Sequence, residues 1–200
     1  MMELIKLGAE AKIFKTKWQG LAAVKKTRVR KGYRNKALDS VLCRMRTKRE
    51  AALLHKAKRL GVATPTILDI NLETNELLLE YVSGVKAKGC VENNIKLCKR
   101  IGESIARLHN AGIIHGDLTM DNIIVRNGNA VFIDFGLGFY SEKIEDKATD
   151  LLNLKKSLLA LKPNLEREWK SIEKHYAKNA KRGSRIIQHI AKIERRARYL

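Results

Sequence analysis

Apolar side chains near the start of the chain recur every second residue, whereas later ones recur every third or fourth. The first period belongs to half-buried strands and the second to amphipathic helices. Residues 4–7 and 12–18 read as two short strands around a turn at Gly8, and 21–29 alternate as a third. After a linker with Gly32 and Asn35, the residues Val41, Leu42, Met45, Ala52, Leu53 and Ala57 fall at helical spacing within 38–60. Gly61 stands where that helix would stop. Pro65 rules out further helix, so 66–70 and 77–82 read as a hairpin across Glu73-Thr74-Asn75, closed by a hinge at Ser83-Gly84.

The rest of the pattern is mainly helical. Residues 94–111 carry an apolar face of Ile95, Leu97, Ile101, Ile105 and Leu108, with Gly112 as the stop. A hairpin of 122–125 and 130–134 turns at Asn127-Gly128. Helices follow over 144–161, from Pro163, and over 184–197 along Ile186, Ile187, Ile190 and Ile193. The expected fold class is α+β in two parts. Residues 1–82 form an N-terminal lobe of antiparallel sheet plus one helix, and 83–200 form a mainly helical C-terminal lobe.

Composition changes this picture in one respect, charge. Forty-one Lys and Arg against 21 Asp and Glu give a formal net charge of +20, which favours polyanionic partners. The positive residues cluster at Lys25 to Lys36, run on to Arg49, and recur between Lys181 and Arg198. Stacking aromatics are sparse there, with Tyr33 and Tyr199 the exceptions, so phosphate or structured-RNA contact is favoured over base reading. No apolar run is long enough to cross a bilayer, and the N-terminus carries no apolar signal region, so a soluble, cytoplasmic protein is expected. Cys43, Cys90 and Cys98 lack metal-type spacing and read as packing thiols.

The candidate chemistry lies at His115-Gly116-Asp117-Leu118-Thr119-Met120-Asp121-Asn122 and at Asp134-Phe135-Gly136. Phosphoryl transfer needs positioning and charge neutralisation, with one carboxylate near the attacking oxygen and oxygen ligands for Mg2+ on the phosphates of ATP. Asp117 is the candidate acceptor, and Asn122 and Asp134 the candidate metal ligands. His115 reads as a brace for the loop and Asp121 as a solvent-facing carboxylate. A phosphate-binding cation should come from Lys25 or Lys26, of which only one can face a cleft; the local pattern Ala22-Ala23-Val24-Lys25 selects Lys25, and Glu50 could hold the lysine. Gly8-Ala9-Glu10-Ala11 is the candidate phosphate-covering loop. Backbone groups of Glu80 to Val82 would meet the adenine.

These residues carry a resemblance to the small atypical kinase subunit of the KEOPS (EKC) complex, the PRPK-type family, over nearly the whole chain. The resemblance rests on Gly8-Ala9-Glu10-Ala11; on Lys26, Arg28, Lys31, Tyr33 and Arg34 in their spacing; on Arg46-Thr47 and Glu50-Ala51; and on the two motifs above. It implies a minimal two-lobed protein-kinase-like fold with a truncated second lobe. It selects Lys26 as the lysine and Glu50 as its helix partner. It further implies an Mg-dependent ATPase with serine/threonine kinase character, acting in tRNA N6-threonylcarbamoyladenosine modification. Partners would be a transferase subunit, other KEOPS subunits, and tRNA held through Arg28, Lys31, Arg34, Arg182, Arg195, Arg196 and Arg198.

Departures from ordinary protein kinases sharpen that expectation. Gly116 replaces the arginine that receives an activation-loop phosphate, Thr119 replaces a lysine beside the γ-phosphate, and 137–200 holds no Ala-Pro-Glu segment. The chain also ends differently from its resembled family, whose members finish in a short Arg-Gly-Arg-Lys-Arg type tail. A small-molecule kinase of the aminoglycoside or choline type, and a catalytically inert kinase-fold tRNA scaffold, are the alternatives. A RIO-type ribosome-maturation kinase is a closer relative, from which the intact Asp-Phe-Gly is expected to set the chain apart.

Overall fold

The computed structural model describes residues 2–8, 11–29 and 35–196. Its first part is a five-stranded antiparallel sheet in the order β1-β2-β3-β5-β4. The strands are β1 (Glu3–Leu7), β2 (Ala11–Trp18), β3 (Leu21–Arg28), β4 (Ile67–Asn71) and β5 (Glu76–Glu80), with helix α1 (Lys36–Arg59) packed against them. Tight turns account for the short connections. Gln19-Gly20 joins β2 to β3 with both residues at positive φ, as a two-residue hairpin on right-twisted strands requires.

Helix α1 departs from the expected apolar face. Val41 and Met45 are exposed, and the side buried against the rest of the molecule runs through Asp39, Cys43, Thr47, Glu50, Leu54 and Ala57. The inward face is polar as far as Glu50: the Thr47 hydroxyl donates to the Cys43 carbonyl at 2.9 Å, and Glu50 meets Lys26 and Arg28. Asn35 caps the helix by accepting from the Ala37 N–H at 2.9 Å.

The second part begins with β6 (Val85–Lys86) and is built on α2 (Ile95–Asn110), α3 (Ile144–Leu159), α4 (Glu166–Asn179) and α5 (Gly183–Arg196). Helices α2 and α4 pack closely. A Cβ at Gly102 would lie 2.4 Å from the Ile172 carbonyl oxygen, so glycine there sets their separation. Helix α4 starts later than Pro163 suggests, after a turn in which Leu165 is buried in the core. Between α2 and α3 lie β7 (Ile113–Ile114), β8 (Ile123–Arg126), β9 (Asn129–Phe132) and β10 (Phe139–Tyr140). The β8–β9 hairpin turns at Asn127-Gly128, as its sequence predicts, whereas β6, β7 and β10 are two residues each, too short for a period to register.

These short strands position the motifs. β10 pairs antiparallel with β7, which folds the segment after Asp134-Phe135-Gly136 back beside the residues leading into His115. The Phe132 N–H donates to the Ala63 carbonyl at 2.8 Å, tying β9 to the link between α1 and β4. Phe135, fully buried, joins the core that extends from Leu53 and Leu54 of α1 to Ile101 and Ile105 of α2. Cys43 and Cys98 are buried and Cys90 is partly so; burial pushes the Cys98 thiol up to about 12, consistent with packing roles. No helix among the described residues is long and apolar enough to cross a membrane.

Candidate functional site

Strand alternation decides which lysine enters the cleft. Lys26 and Arg28 lie two residues apart on one face of β3, and both are buried; Lys25 points the other way and pairs with Glu76 at 2.6 Å. Lys26 Nζ donates to Glu50 Oε1 and to Asp134 Oδ1, each at 2.6 Å. Arg28 donates to the other oxygen of Glu50 at 2.7 Å. Glu50, only 2 % exposed, thus binds two buried cations at once. Burial pulls the Lys26 ammonium down, but Glu50 and Asp134 outweigh it and hold its pKa above the ordinary value. Burial likewise pushes Asp134 up, and the Lys26 charge and hydrogen bond reverse this and hold its carboxyl below the usual range.

The burial of Arg28 corrects one expectation. At 7 % exposed and engaged with Glu50, it belongs to the interior of the site and not to a surface that an RNA could touch. The same alternation that turns Lys26 inward turns Arg28 inward. Arg182, Arg195 and Arg196 are exposed on or just before α5. Lys31, Arg34 and Arg198 lie outside the described residues, as do Ala9, Glu10 and Tyr33.

Opposite the lysine, Asn122 donates through its amide to the Asp117 backbone carbonyl at 2.9 Å and to Asp117 Oδ2 at 2.8 Å. The loop is thereby closed on itself, with the Asn122 Oδ1 left without a protein hydrogen bond among the described residues. Asp134 occupies the left-handed region at φ 62, a conformation that Asp tolerates better than most residues. Its Oδ1 also accepts from the Gly136 N–H at 3.2 Å. A side chain at Gly136 would press on Asp134, Lys26 and Arg28 together. Asn122 and Asp134 both line one cavity of about 310 Å³ between the sheet and the helical part, together with Lys26 and Glu50. Two such oxygen ligands, with phosphate and water completing the shell, fit Mg2+ and its preference for few protein ligands.

Val24, Leu79 and Ile133 are among the apolar residues lining the cavity, and Glu80 and Val82 line it too. The Glu80 and Tyr81 N–H groups are already committed, to the Thr66 and Ala22 carbonyls, whereas the Val82 N–H has no backbone partner among the described residues. Gly8 donates its N–H to the Ala11 carbonyl at 3.0 Å, and Ile5 and Ile13 of the adjoining strands line the cavity. Asp121 is not simply solvated; Lys86 and Lys88 each reach it at 2.8 Å and their hydrogen bonds hold its pKa below the usual value.

Asp150 was missed by sequence reasoning. It sits on α3 in register with Leu154 and Leu158, and is 2 % exposed. One oxygen accepts from the His115 N–H at 2.8 Å and the other from the Gly116 N–H at 3.0 Å. His109 approaches it at 3.2 Å and is itself held by Tyr176. Burial raises the Asp150 pKa, but His109 and the His115 backbone outweigh it and leave the carboxyl below the ordinary range. Asp150 therefore anchors the backbone of the Asp117 loop, and an acidic residue at helical spacing with Leu154 and Leu158 was the available signal. His115 braces the loop as expected, with Nε2 at 3.0 Å from the Ile133 carbonyl and its ring against Phe135. Gly116 has a backbone reason of its own: φ is 80, and a Cβ would lie 2.3 Å from the Leu137 carbonyl oxygen.

Comparison with known proteins agrees with this geometry. Residues 8–154 match the RIO domain family, so the intact Asp-Phe-Gly does not set the chain apart from RIO proteins as expected. Among solved structures the chain is similar to WaaP in complex with acyl carrier protein (TM-score 0.65, 14 % identity, 100 % of this chain and 88 % of that one). It is similar also to the Rio2 kinase of Chaetomium thermophilum in its ADP/Mg2+-phosphoaspartate complex (TM-score 0.64, 98 % of this chain and 70 % of that one). Both likenesses establish the two-lobed kinase-like α+β fold. In sequence, the chain is 44 % identical over 191 residues to a probable bifunctional tRNA threonylcarbamoyladenosine biosynthesis protein of Methanothermobacter thermautotrophicus. It covers 33 % of that relative, so the chain spans about a third of such proteins. It is 36 % identical over 212 residues to the KEOPS complex subunit Bud32 of Pyrococcus abyssi, covering 99 % of this chain and 96 % of that one. A kinase-like fold, a RIO-domain match and a relative aligned almost end to end together mean that the chain belongs to the Bud32 family of RIO-domain proteins.

Proposed function

We propose that the protein is an Mg2+-dependent ATPase and atypical serine/threonine kinase that serves tRNA N6-threonylcarbamoyladenosine formation as a KEOPS subunit in the cytoplasm. The observation that carries this reading is the Lys26, Glu50 and Asp134 ion cluster on the same cavity as Asn122, whose amide holds Asp117. In this reading ATP lies with its adenine against Val24, Leu79 and the Val82 N–H. Lys26 meets the α- and β-phosphates, which the candidate Gly8-Ala9-Glu10-Ala11 segment would cover, and Glu50 keeps its ammonium aimed. Asn122 and Asp134 would hold Mg2+, which when bound neutralises phosphate charge. Asp117 orients the attacking hydroxyl or water and accepts its proton.

The boundary between the two lobes falls at residues 82 and 83, so the nucleotide spans both. A transferase subunit would supply the carbamoyl chemistry, and the exposed Arg182, Arg195 and Arg196 would contact tRNA phosphates. The end-to-end match with Bud32 favours this over a small-molecule kinase. Asp117→Ala should abolish phosphate release in an Mg2+-dependent ATPase assay, with and without tRNA and a transferase partner, while circular dichroism stays unchanged. Undiminished turnover by that variant would sink the mechanism, and absence of turnover in the wild type under every condition would favour the inert scaffold.

A further inference from the structure

A second cavity, of about 430 Å³, shares no lining residue with the nucleotide cleft. Three arginines converge on it. Arg100 and Arg107 come from α2, where with Ser104 they occupy positions i, i+7 and i+4 of one face; Arg126 comes from the end of β8. Each guanidinium is already oriented by one protein acceptor: Arg100 by the Gly128 carbonyl, Arg107 by the Gly61 carbonyl at 3.0 Å, and Arg126 by Glu80. A guanidinium carries five N–H donors, so one bond each leaves the larger part of the fork available. Ser104 and Asn129 add neutral hydrogen-bonding groups to the wall, and among the described residues Glu103 is the only carboxylate lining it. Glu103 is partly offset by Lys99 at 3.9 Å.

We infer that this cavity is a phosphate-binding site. Planar forks match phosphate oxygens two at a time, and anchoring them in advance removes much of the entropy that binding would otherwise cost. The space is larger than one phosphate group needs, which suits a phosphate carried on a larger molecule or a pyrophosphate-like anion. Arg126 connects the site to the cleft, because its acceptor Glu80 lines the nucleotide cavity. A phosphate that draws Arg126 away from Glu80 alters the wall on which adenine is read to bind.

The test is an NMR titration of the 15N-labelled full chain without Mg2+, using inorganic pyrophosphate and, separately, a short RNA hairpin. The amides of Ser104 and Asn129 report on this cavity, and those of Val82 and Asp134 on the cleft. Movement of Ser104 and Asn129 with pyrophosphate supports a site for free phosphate anions; movement with RNA alone supports a site for backbone phosphodiester. Arg100→Gln and Arg107→Gln should each weaken that response roughly tenfold. Glu103→Gln, which disturbs neither carbonyl anchor, should strengthen it several-fold. Shifts confined to Val82 and Asp134, no shift with either probe, or unaltered affinity in both arginine variants would overturn the assignment. None of those outcomes bears on ATP turnover through Asp117.

Discussion

Glu50 illustrates how much one side chain can carry. It is shared by Lys26 and Arg28 and is itself buried, so removing its charge strips a carboxylate from two buried cations. Glu50→Gln is expected to lower the unfolding free energy by about 3 kcal/mol, read from urea denaturation, since breaking a buried ion pair costs more than the pair contributes. Asp150 makes a prediction in pH. Its folded pKa lies below the ordinary 3.8, so its stabilisation is present above that value and is lost as pH falls through the folded pKa. Urea midpoints taken from about pH 5 downward should fall for the wild type, and more shallowly for Asp150→Asn. Lys26 acts in the opposite limb: with its pKa raised, its contribution is whole below 10.5 and disappears only in stronger alkali.

Among the elements, the α2–α4 pair and α1 differ in what their sequences disclose. Gly102→Ala must push α2 and α4 apart, because the added methyl meets the Ile172 carbonyl and the Tyr176 amide. We expect a loss of roughly 1–3 kcal/mol, seen as a lower melting temperature. Helix α2 was legible beforehand, since Leu97, Ile101, Ile105 and Leu108 face one core and follow one period. Helix α1 was legible in existence but not in orientation. Its interior face passes from Asp39, Cys43, Thr47 and Glu50 into Leu54 and Ala57, and a rule that counts apolar residues selects Val41 and Met45 on the wrong side. The motif loops were recognised from their residues alone, whereas the two-residue strands that hold them carry no local pattern.

Across the whole molecule, charge and topology set the remaining behaviour. A formal charge of +20 repels itself in the compact state, so the melting temperature should rise as NaCl is raised from low ionic strength to about 0.3 M. A flat response would mean that the local ion pairs already neutralise the surface field. By itself the sequence determined the order of the long elements, the turns that join them, and the identities of Asp117, Asn122 and Asp134 as the candidate phosphoryl-transfer set. Those features are local: they depend on periods, turn residues and spacings within a few positions. Only the tertiary structure decided that Arg28 is interior, that Asp150 holds the Asp117 loop, and that Arg100, Arg107 and Arg126 meet around a second cavity. Each of these depends on contacts between separate elements of the chain, which only their packing brings together.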